Sequence, residues 1–267
     1  MRLSCLYAAA AFLLLTPPAL AEQQSPPAQV ESWTVEKTGR IGQAMWRQDV
    51  AAARATDALL AQSGGRPPEG LIGWIVVDEG EGQRVRFLSG SPEQPRAFKD
   101  VVVDARLRAG QVADPADPVL PEDQIARFAA RNAAAQNFGP LRCAARYNAV
   151  VLDDPDGEGW LVWLLASTTQ ADIVPMGGHY RYHVSADGRT VERREQLSGS
   201  CLDMDKNQAT QGGQSVGLVT NVIVAPRPLE VHVFLSLLNS VPIFVLADQK
   251  VWAVEGARIR QMDMPAR

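Results

Sequence analysis

Two of the three histidines in the sequence, His179 and His183, lie four residues apart. On a helix this spacing would place both rings on one face, where they could bind the same metal ion. Gly177-Gly178 before them and Asp187-Gly188 after them instead predict one arm of a β-hairpin. Residues four apart on a strand stand about 13 Å apart, whereas zinc–nitrogen bonds are about 2.1 Å long. The sequence therefore predicts no metal ion held by both histidines.

The alternation of residues 179–184 gives the predicted strand two different faces. One face is aromatic and branched and is expected to pack in the core; it consists of Tyr180, Tyr182 and Val184. The other face is polar and consists of His179, Arg181 and His183. We expect this polar face to meet solvent, and it is the candidate surface for binding an anion or a partner.

The segment 213–217 matches the G-x-S-x-G pattern of serine hydrolases, with Ser215 as the nucleophile. His232 lies seventeen residues further on and is the candidate base. The pattern requires a strand before the serine and a helix after it. Here a polar loop precedes Ser215 and a strand-like run, 217–224, follows it. Catalysis by Ser215 and His232 is therefore an alternative hypothesis and not the leading one.

The sequence predicts no cofactor. No glycine-rich loop follows a predicted strand and opens a helix, which a nucleotide-binding enzyme would need. The formal net charge of −4 also argues against nucleic acid, which binds to strongly basic surfaces.

The first 21 residues have the layout of an export signal. Arg2 precedes an apolar run at 6–15, and Ala19 and Ala21 are small residues before the expected cleavage point. The run is shorter than the roughly 20 residues of a membrane-spanning helix. We expect a periplasmic or secreted protein with no integral membrane segment after cleavage of residues 1–21.

The two cysteines that remain after this cleavage are Cys143 and Cys201. In an oxidising compartment a single pair of cysteines most simply forms a disulfide. Neither lies in a C-x-x-C motif or beside a histidine, so a redox or nucleophilic role has no sequence support.

The periodicity of the chain predicts an α+β fold, mainly antiparallel sheet with two or more packed helices. Residues 22–30 are expected to form a disordered leader. A helix and a β-meander follow at 31–113, a proline-rich connection at 114–121, and a helix with an antiparallel sheet at 122–267. The last unit could also be continuous with 31–113.

The two halves share an order of predicted elements, namely a helix, a strand, an acidic glycine turn and further strands. This order is compatible with an internal duplication, although ordinary hairpin sequences would produce much of the similarity.

Residues 160–165 (WLVWLL) are apolar at every position, which predicts a central strand covered on both faces. Residues 229–238 alternate and are predicted to form another strand.

The segment from Pro121 to Leu197 resembles the PepSY-like modules of exported bacterial proteins, which place a helix before a small antiparallel meander. The resemblance is carried by EDQIARFAARNAAA, by YRYHVSADGRTV and by Gly188 in the turn. A longer stretch with RYNAVVL, GWLVWLLA and SGSCL resembles exported bacterial proteins of unassigned function. The resemblance to PepSY-like modules implies a binding or inhibitory module, and neither resemblance supplies catalytic residues.

The sequence thus predicts a non-catalytic exported module that binds a periplasmic protein or peptide. Two alternatives remain at this point. One is the serine hydrolase that uses Ser215 and His232. The other is a carrier that holds a small apolar ligand between helix and sheet.

Overall fold

The computed structural model describes residues 28–211, 214–215 and 217–263, and the side chains of residues 208–216 are not part of that description. The expected signal peptide at 1–21, and residues 22–27 of the expected leader, lie outside the described residues. The described chain has an α+β fold with mostly antiparallel strands, as the sequence predicts. Its helices are α1 (Val35–Gln62), α2 (Glu122–Gln136), α3 (Glu230–Asn239) and a short 3-10 helix at Lys206–Ala209.

Three four-stranded sheets form the body of the protein. The first has its strands in chain order: β1 (Gly73–Glu79), β2 (Gly82–Gly90), β3 (Pro95–Val103) and β4 (Ala109–Ala113). The second contains, in order, β5 (Arg146–Asp153), β6 (Trp160–Ser167), β8 (Tyr180–Val184) and β9 (Val191–Gln196). The third contains β13 (Leu218–Asn221), β14 (Ile243–Ala247), β15 (Lys250–Glu255) and β16 (Arg258–Met262).

Two short pairs are the remaining strands of the described residues. The strand β7 (Ile173–Pro175) pairs with β10 (Asp203–Asp205), and β11 (Thr210–Gln211) pairs with β12 (Gln214–Ser215). All described pairs are antiparallel except β13 with β14, which are parallel and are connected through α3. The first two sheets each follow a helix and have the same strand order, so the repeated order of elements predicted from the sequence is present.

The helix α1 contributes to two cores. Its C-terminal half packs Ala51, Ala55 and Leu59 against the first sheet. Its N-terminal half places Ile41 and Met45 in a larger core with the second and third sheets and α3. A helix of 28 residues is about 42 Å long, which is enough to span both.

Gly42 allows α1 and α3 to approach closely. A Cβ atom at this position would lie 2.5 Å from Cβ of Val233 and 2.6 Å from the carbonyl oxygen of Glu230. Both distances are shorter than van der Waals contact, so a larger residue here would push the helices apart.

The second sheet is covered on both faces, as the apolar run at 160–165 predicts. The strand β6 lies inside the sheet between β5 and β8, and its first seven residues are buried. The face with Val162 and Leu164 packs against α2. The face with Leu161 and Trp163 belongs to the core that α1 and α3 share.

The prediction of a strand at 229–238 is wrong, because Glu230–Asn239 forms α3. Its first seven residues are all buried, so the polar face that identifies most helices in a sequence is missing. An apolar run of this length is compatible with a buried strand or a buried helix. Pro228 just before the helix and Ser240 in a left-handed conformation after it are the local end signals.

The predicted disulfide between Cys143 and Cys201 is present, with 5.2 Å between the two Cα atoms. It connects the segment before β5 with the segment after β9. Gly178 passes beside it with φ of +84°, and a Cβ there would lie 2.5 Å from Cβ of Cys143.

Among the described residues, none of the helices has the length and apolar character needed to cross a membrane.

Candidate functional site

The strand β8 has the two faces that the sequence predicts. Tyr180, Tyr182 and Val184 are buried in the core that the second sheet forms with α2. This part of the prediction is confirmed.

The expectation that the other face of β8 meets solvent is wrong. His179 and Arg181 are fully buried, and the side chain of His183 is 12% exposed. The reason is that this face lies on the same side of the sheet as Leu161 and Trp163, where α3 and the residues before α1 cover it. His179 and Arg181 are therefore not available as a surface for a partner.

Arg181 is instead the centre of a buried ion-pair network. Its Nε donates to Oε2 of Glu195 at 2.6 Å, and its Nη1 donates to Oε1 of Glu230 at 2.9 Å. Its Nη2 donates to the carbonyl oxygen of Glu31 at 2.6 Å. Burial alone would lower the pKa of Arg181, but the charges of Glu230 and Glu195 raise it. Both carboxylates thus hold the guanidinium in its charged form.

His183 extends this network towards the surface. Its Nε2 lies 3.1 Å from Oε2 of Glu195 and 3.8 Å from Oε2 of Glu31. Burial alone would raise the pKa of Glu195, but hydrogen bonds from His183 and Arg181 lower it to about 2. Glu31 also pairs with Arg193.

Glu31, His183 and Glu195 offer three metal-ligand atoms within 4.8 Å of one another. The guanidinium groups of Arg181 and Arg193 already neutralise the two carboxylates. A metal ion would have to displace these cations, so the geometry fits a structural ion-pair network better than a metal site.

His179 is a core histidine with both ring nitrogens in hydrogen bonds. Its Nδ1 accepts from the backbone N–H of Ala166 at 3.1 Å, and its Nε2 lies 2.8 Å from the carbonyl oxygen of Pro175. Burial lowers the pKa of His179 to about 4, against the opposing effect of the bond to Pro175. The ring is therefore neutral at physiological pH.

His232 lies in the first turn of α3 and is 3% exposed. Its Nδ1 lies 3.0 Å from the backbone nitrogen of Leu229 and 3.1 Å from the carbonyl oxygen of the same residue. Burial lowers the pKa of His232 to about 4. The ring of His232 is thus buried and held against the backbone at the start of α3, as is typical of a structural histidine.

Ser215 belongs to the short pair of β11 and β12, where it pairs with Thr210, and its side chain lies outside the described residues. The strand β13 begins at Leu218, directly after this motif. The motif therefore lacks the strand–turn–helix arrangement that exposes a nucleophilic serine.

A cleft whose residues the sequence analysis did not identify opens between α1, α3 and the second sheet. Its volume is about 270 Å³. The apolar part of its wall comes from β6, β7 and α3 and includes Leu165, Ile173, Phe234, Leu235 and Leu238. Leu238 is 45% exposed and lies where the wall meets solvent. We refer to this feature as the Asp49 cleft.

Asp49 of α1 is the charged group of the cleft. It is the only ionisable side chain among the described residues that line it. Its Oδ1 accepts a hydrogen bond from Nδ2 of Asn148 at 3.1 Å. Burial raises the pKa of Asp49 to about 6, against the lowering effect of Asn148. A partly dehydrated carboxylate beside an apolar wall is a typical feature of a binding site.

One signal in the sequence could have revealed Asp49. Met45, Gln48 and Ala52 are buried along α1, and Asp49 lies four residues after the first of them. Its position therefore borders the buried stripe of the helix, where an acidic side chain is unusual.

Comparisons of the chain with protein-family models, with curated proteins and with solved structures found no match. The assignment of a function therefore depends on the geometry of the Asp49 cleft and of the residues around it.

Proposed function

We propose that the protein is an exported, non-catalytic binding module that holds a segment of a peptide or partner protein in the Asp49 cleft. The observation that carries this proposal is the cleft itself, an open apolar depression with one carboxylate inside and Leu238 exposed at its edge. Exposed apolar side chains beside a concave surface are typical of sites that bind other molecules.

The size of the cleft favours a segment of a larger partner over a carried small molecule. Sites for drug-sized ligands enclose about 300–1,000 Å³ and surround most of the ligand. The Asp49 cleft, at about 270 Å³, lies near the lower end of this range, and it is open and does not enclose a ligand. An open depression of this kind can hold an anchoring side chain of a larger partner, as in complexes where a single buried group contributes much of the affinity.

The groups in the cleft support binding and not catalysis. The hydroxyl of Ser167 donates to the carbonyl oxygen of Arg146 and is not paired with a base. Among the described lining residues there is no histidine or cysteine. A nucleophile with a general base in hydrogen-bond reach is thus not present in the described part of the cleft.

Two observations support export. Residues 1–21 have the pattern of a cleavable signal. The disulfide between Cys143 and Cys201 is of the kind that persists in oxidising compartments. The resemblance of residues 121–197 to PepSY-like modules agrees with a binding or inhibitory role.

The experiment is a selection from a random peptide library displayed on phage, with the mature full-length protein as bait. Affinities of the selected peptides are then measured by fluorescence polarisation for the wild type and for Leu238→Asp. The matched control is Leu246→Asp on β14, since Leu246 is 42% exposed and does not line the cleft. Circular dichroism establishes that both variants fold.

The proposal predicts that Leu238→Asp weakens peptide binding at least about tenfold, while Leu246→Asp leaves it unchanged. The proposal is overturned if no peptide is selected. It is also overturned if the two variants bind the selected peptides as the wild type does, because the peptides then occupy another surface.

A further inference from the structure

We propose that the side chain bound in the Asp49 cleft is a lysine, with its ammonium group on the carboxylate of Asp49 and its methylene stem along the apolar wall. This inference rests on the proposed function and specifies its ligand. It follows from the charge, the hydrogen bonding and the shape of the cleft.

The first argument is an uncompensated charge. Every described ion pair of the protein involves other residues, and no lysine or arginine in residues 28–211, 214–215 or 217–263 pairs with Asp49. The neutral amide of Asn148 is its hydrogen-bond partner. A partly buried carboxylate without a cation is unfavourable. A cation from a ligand would remove this cost on binding.

The second argument is the surroundings of the carboxylate. The apolar residues that line the same cleft include Ile173, Phe234 and Leu238, and Leu238 is 45% exposed. A bare inorganic cation would gain nothing from these side chains. A lysine carries four methylene groups before its ammonium, so its stem can cover apolar surface while its charge reaches the carboxylate.

The third argument separates lysine from arginine. Arginine binds carboxylates best through two parallel hydrogen bonds, one to each oxygen. In Asp49 the Oδ1 atom already accepts from Asn148, which leaves Oδ2 as the freer acceptor. A compact ammonium group needs one such oxygen, and the carbonyl oxygen of the Asn148 amide offers a second acceptor.

The proposal predicts a dependence on pH. Burial raises the pKa of Asp49 to about 6. No other described residue that lines the cleft titrates in this pH range; these residues come from β5, β6, β7, α3 and the loop between β6 and β7. The pair with lysine needs the ionised carboxylate. Binding should therefore weaken as the pH falls through this value, and a bound lysine should lower the pKa of Asp49.

The experiment uses a peptide selected for binding in the cleft. The anchoring residue is located by an alanine scan, and peptides with lysine, arginine, norleucine or acetyl-lysine at that position are titrated into the full-length protein. Norleucine has a similar stem without the charge, and acetyl-lysine keeps the length but loses the charge. The protein variants are Asp49→Asn and, as the matched control on an exposed position of the same helix, Asp57→Asn.

The expected result is that lysine binds at least about tenfold more tightly than norleucine or acetyl-lysine at about pH 7.5. The preference should disappear in Asp49→Asn, persist in Asp57→Asn and shrink at about pH 5. In the wild type, carbon-13 NMR of the Asp49 carboxyl should show a lower pKa when the lysine peptide is bound.

Other outcomes overturn the inference in recognisable ways. If norleucine binds as well as lysine while Leu238→Asp still abolishes binding, the lysine inference fails and the proposed function stands. Tighter binding of arginine than of lysine also overturns the choice of lysine. If Leu238→Asp has no effect on any of these peptides, the proposed function itself fails.

Discussion

The guanidinium carbon of Arg181 lies 4.3 Å from the centre of the indole ring of Trp33. Arg181 comes from the middle of the second sheet, and Trp33 comes from the segment that leads into α1. The stacked ring covers a cation that is fully buried. The contact shows that the residues before α1 form part of the core and close the polar face of β8.

The first prediction concerns Arg181 itself. Replacement with alanine leaves the carboxylates of Glu195 and Glu230 buried without their cation, so we expect a loss of about 3–5 kcal/mol in the free energy of unfolding. Urea denaturation followed by tryptophan fluorescence measures this loss. The control is Arg193→Ala, whose side chain is 49% exposed and whose ion pairs should contribute about 0–1 kcal/mol.

A second variant keeps this prediction testable if Arg181→Ala does not fold. The double variant Arg181→Met with Glu230→Gln removes one of the uncompensated charges together with the cation. It should be more stable than Arg181→Met alone. Equal stability of the two would contradict the role assigned to the buried charges.

The polar face of β8 illustrates what the sequence can and cannot predict. Alternation within one strand correctly assigned Tyr180 and Tyr182 to the core. It could not show that Arg181 is buried, because Glu31, which accepts its hydrogen bond, is 150 residues away in the chain. Long-range contacts of this kind leave no local period in the sequence.

Two other elements show the same limit. The apolar pattern of β6 correctly predicted a strand covered on both faces, since burial on both sides leaves a continuous run. The pattern of α3 was misleading for the related reason that its first seven residues are all buried and show no polar stripe. The Asp49 cleft brings together residues of α1, β6 and α3, and only the fold places them side by side.

The second prediction concerns acid sensitivity. Burial lowers the pKa of His179 and of His232 from 6.5 to about 4. Each ring then contributes stability that is fully present above pH 6.5 and is lost as the pH falls towards 4, by roughly 3 kcal/mol per ring. Asp49, whose pKa is raised to about 6, gains a proton in the same range and offsets part of this loss. Because two histidines act against one carboxyl, urea denaturation between these pH values should show a net decrease in the free energy of unfolding.

The variants His179→Gln and His232→Gln test the assignment, because glutamine keeps a donor and an acceptor but does not titrate here. Each should make the decrease shallower. Glu195, with a pKa lowered to about 2, affects stability only below its ordinary value of 4.5 and so acts mainly at lower pH. A slope that is the same in the wild type and in both variants would refute the prediction.

The third prediction concerns the disulfide. Cys143 and Cys201 are 58 positions apart, and the chain-entropy model gives a stabilisation of about 4 kcal/mol for a loop of this length. The double variant Cys143→Ser with Cys201→Ser should lose about this amount in urea denaturation. Addition of a reductant should destabilise the wild type by a similar amount and leave the double variant unaffected. An effect of the reductant on the double variant would point to a different cause.

The fourth prediction follows from the raised pKa of Asp49. Its pKa is about 6 in the folded protein and has an ordinary value of 3.8, so folding favours the protonated form. The contribution of Asp49 to stability is fully present below pH 3.8 and is lost as the pH rises through 6.

Asp49→Asn removes this loss and should stabilise the protein at pH 8 by about 1–2 kcal/mol. This is less than full burial would give, because the side chain is partly exposed. At about pH 4 the effect should be small, since the wild-type carboxyl is then largely protonated when folded. Asp57→Asn, at an exposed position of α1, should show no such difference between the two pH values. Thermal and urea denaturation measure the stability of the wild type and of both variants at the two pH values.

A gain in stability from Asp49→Asn with a loss of lysine-peptide binding would mean that the acid is retained for binding at the expense of stability. Destabilisation by Asp49→Asn at pH 8 would instead show that the carboxylate supports the fold and would contradict its proposed role.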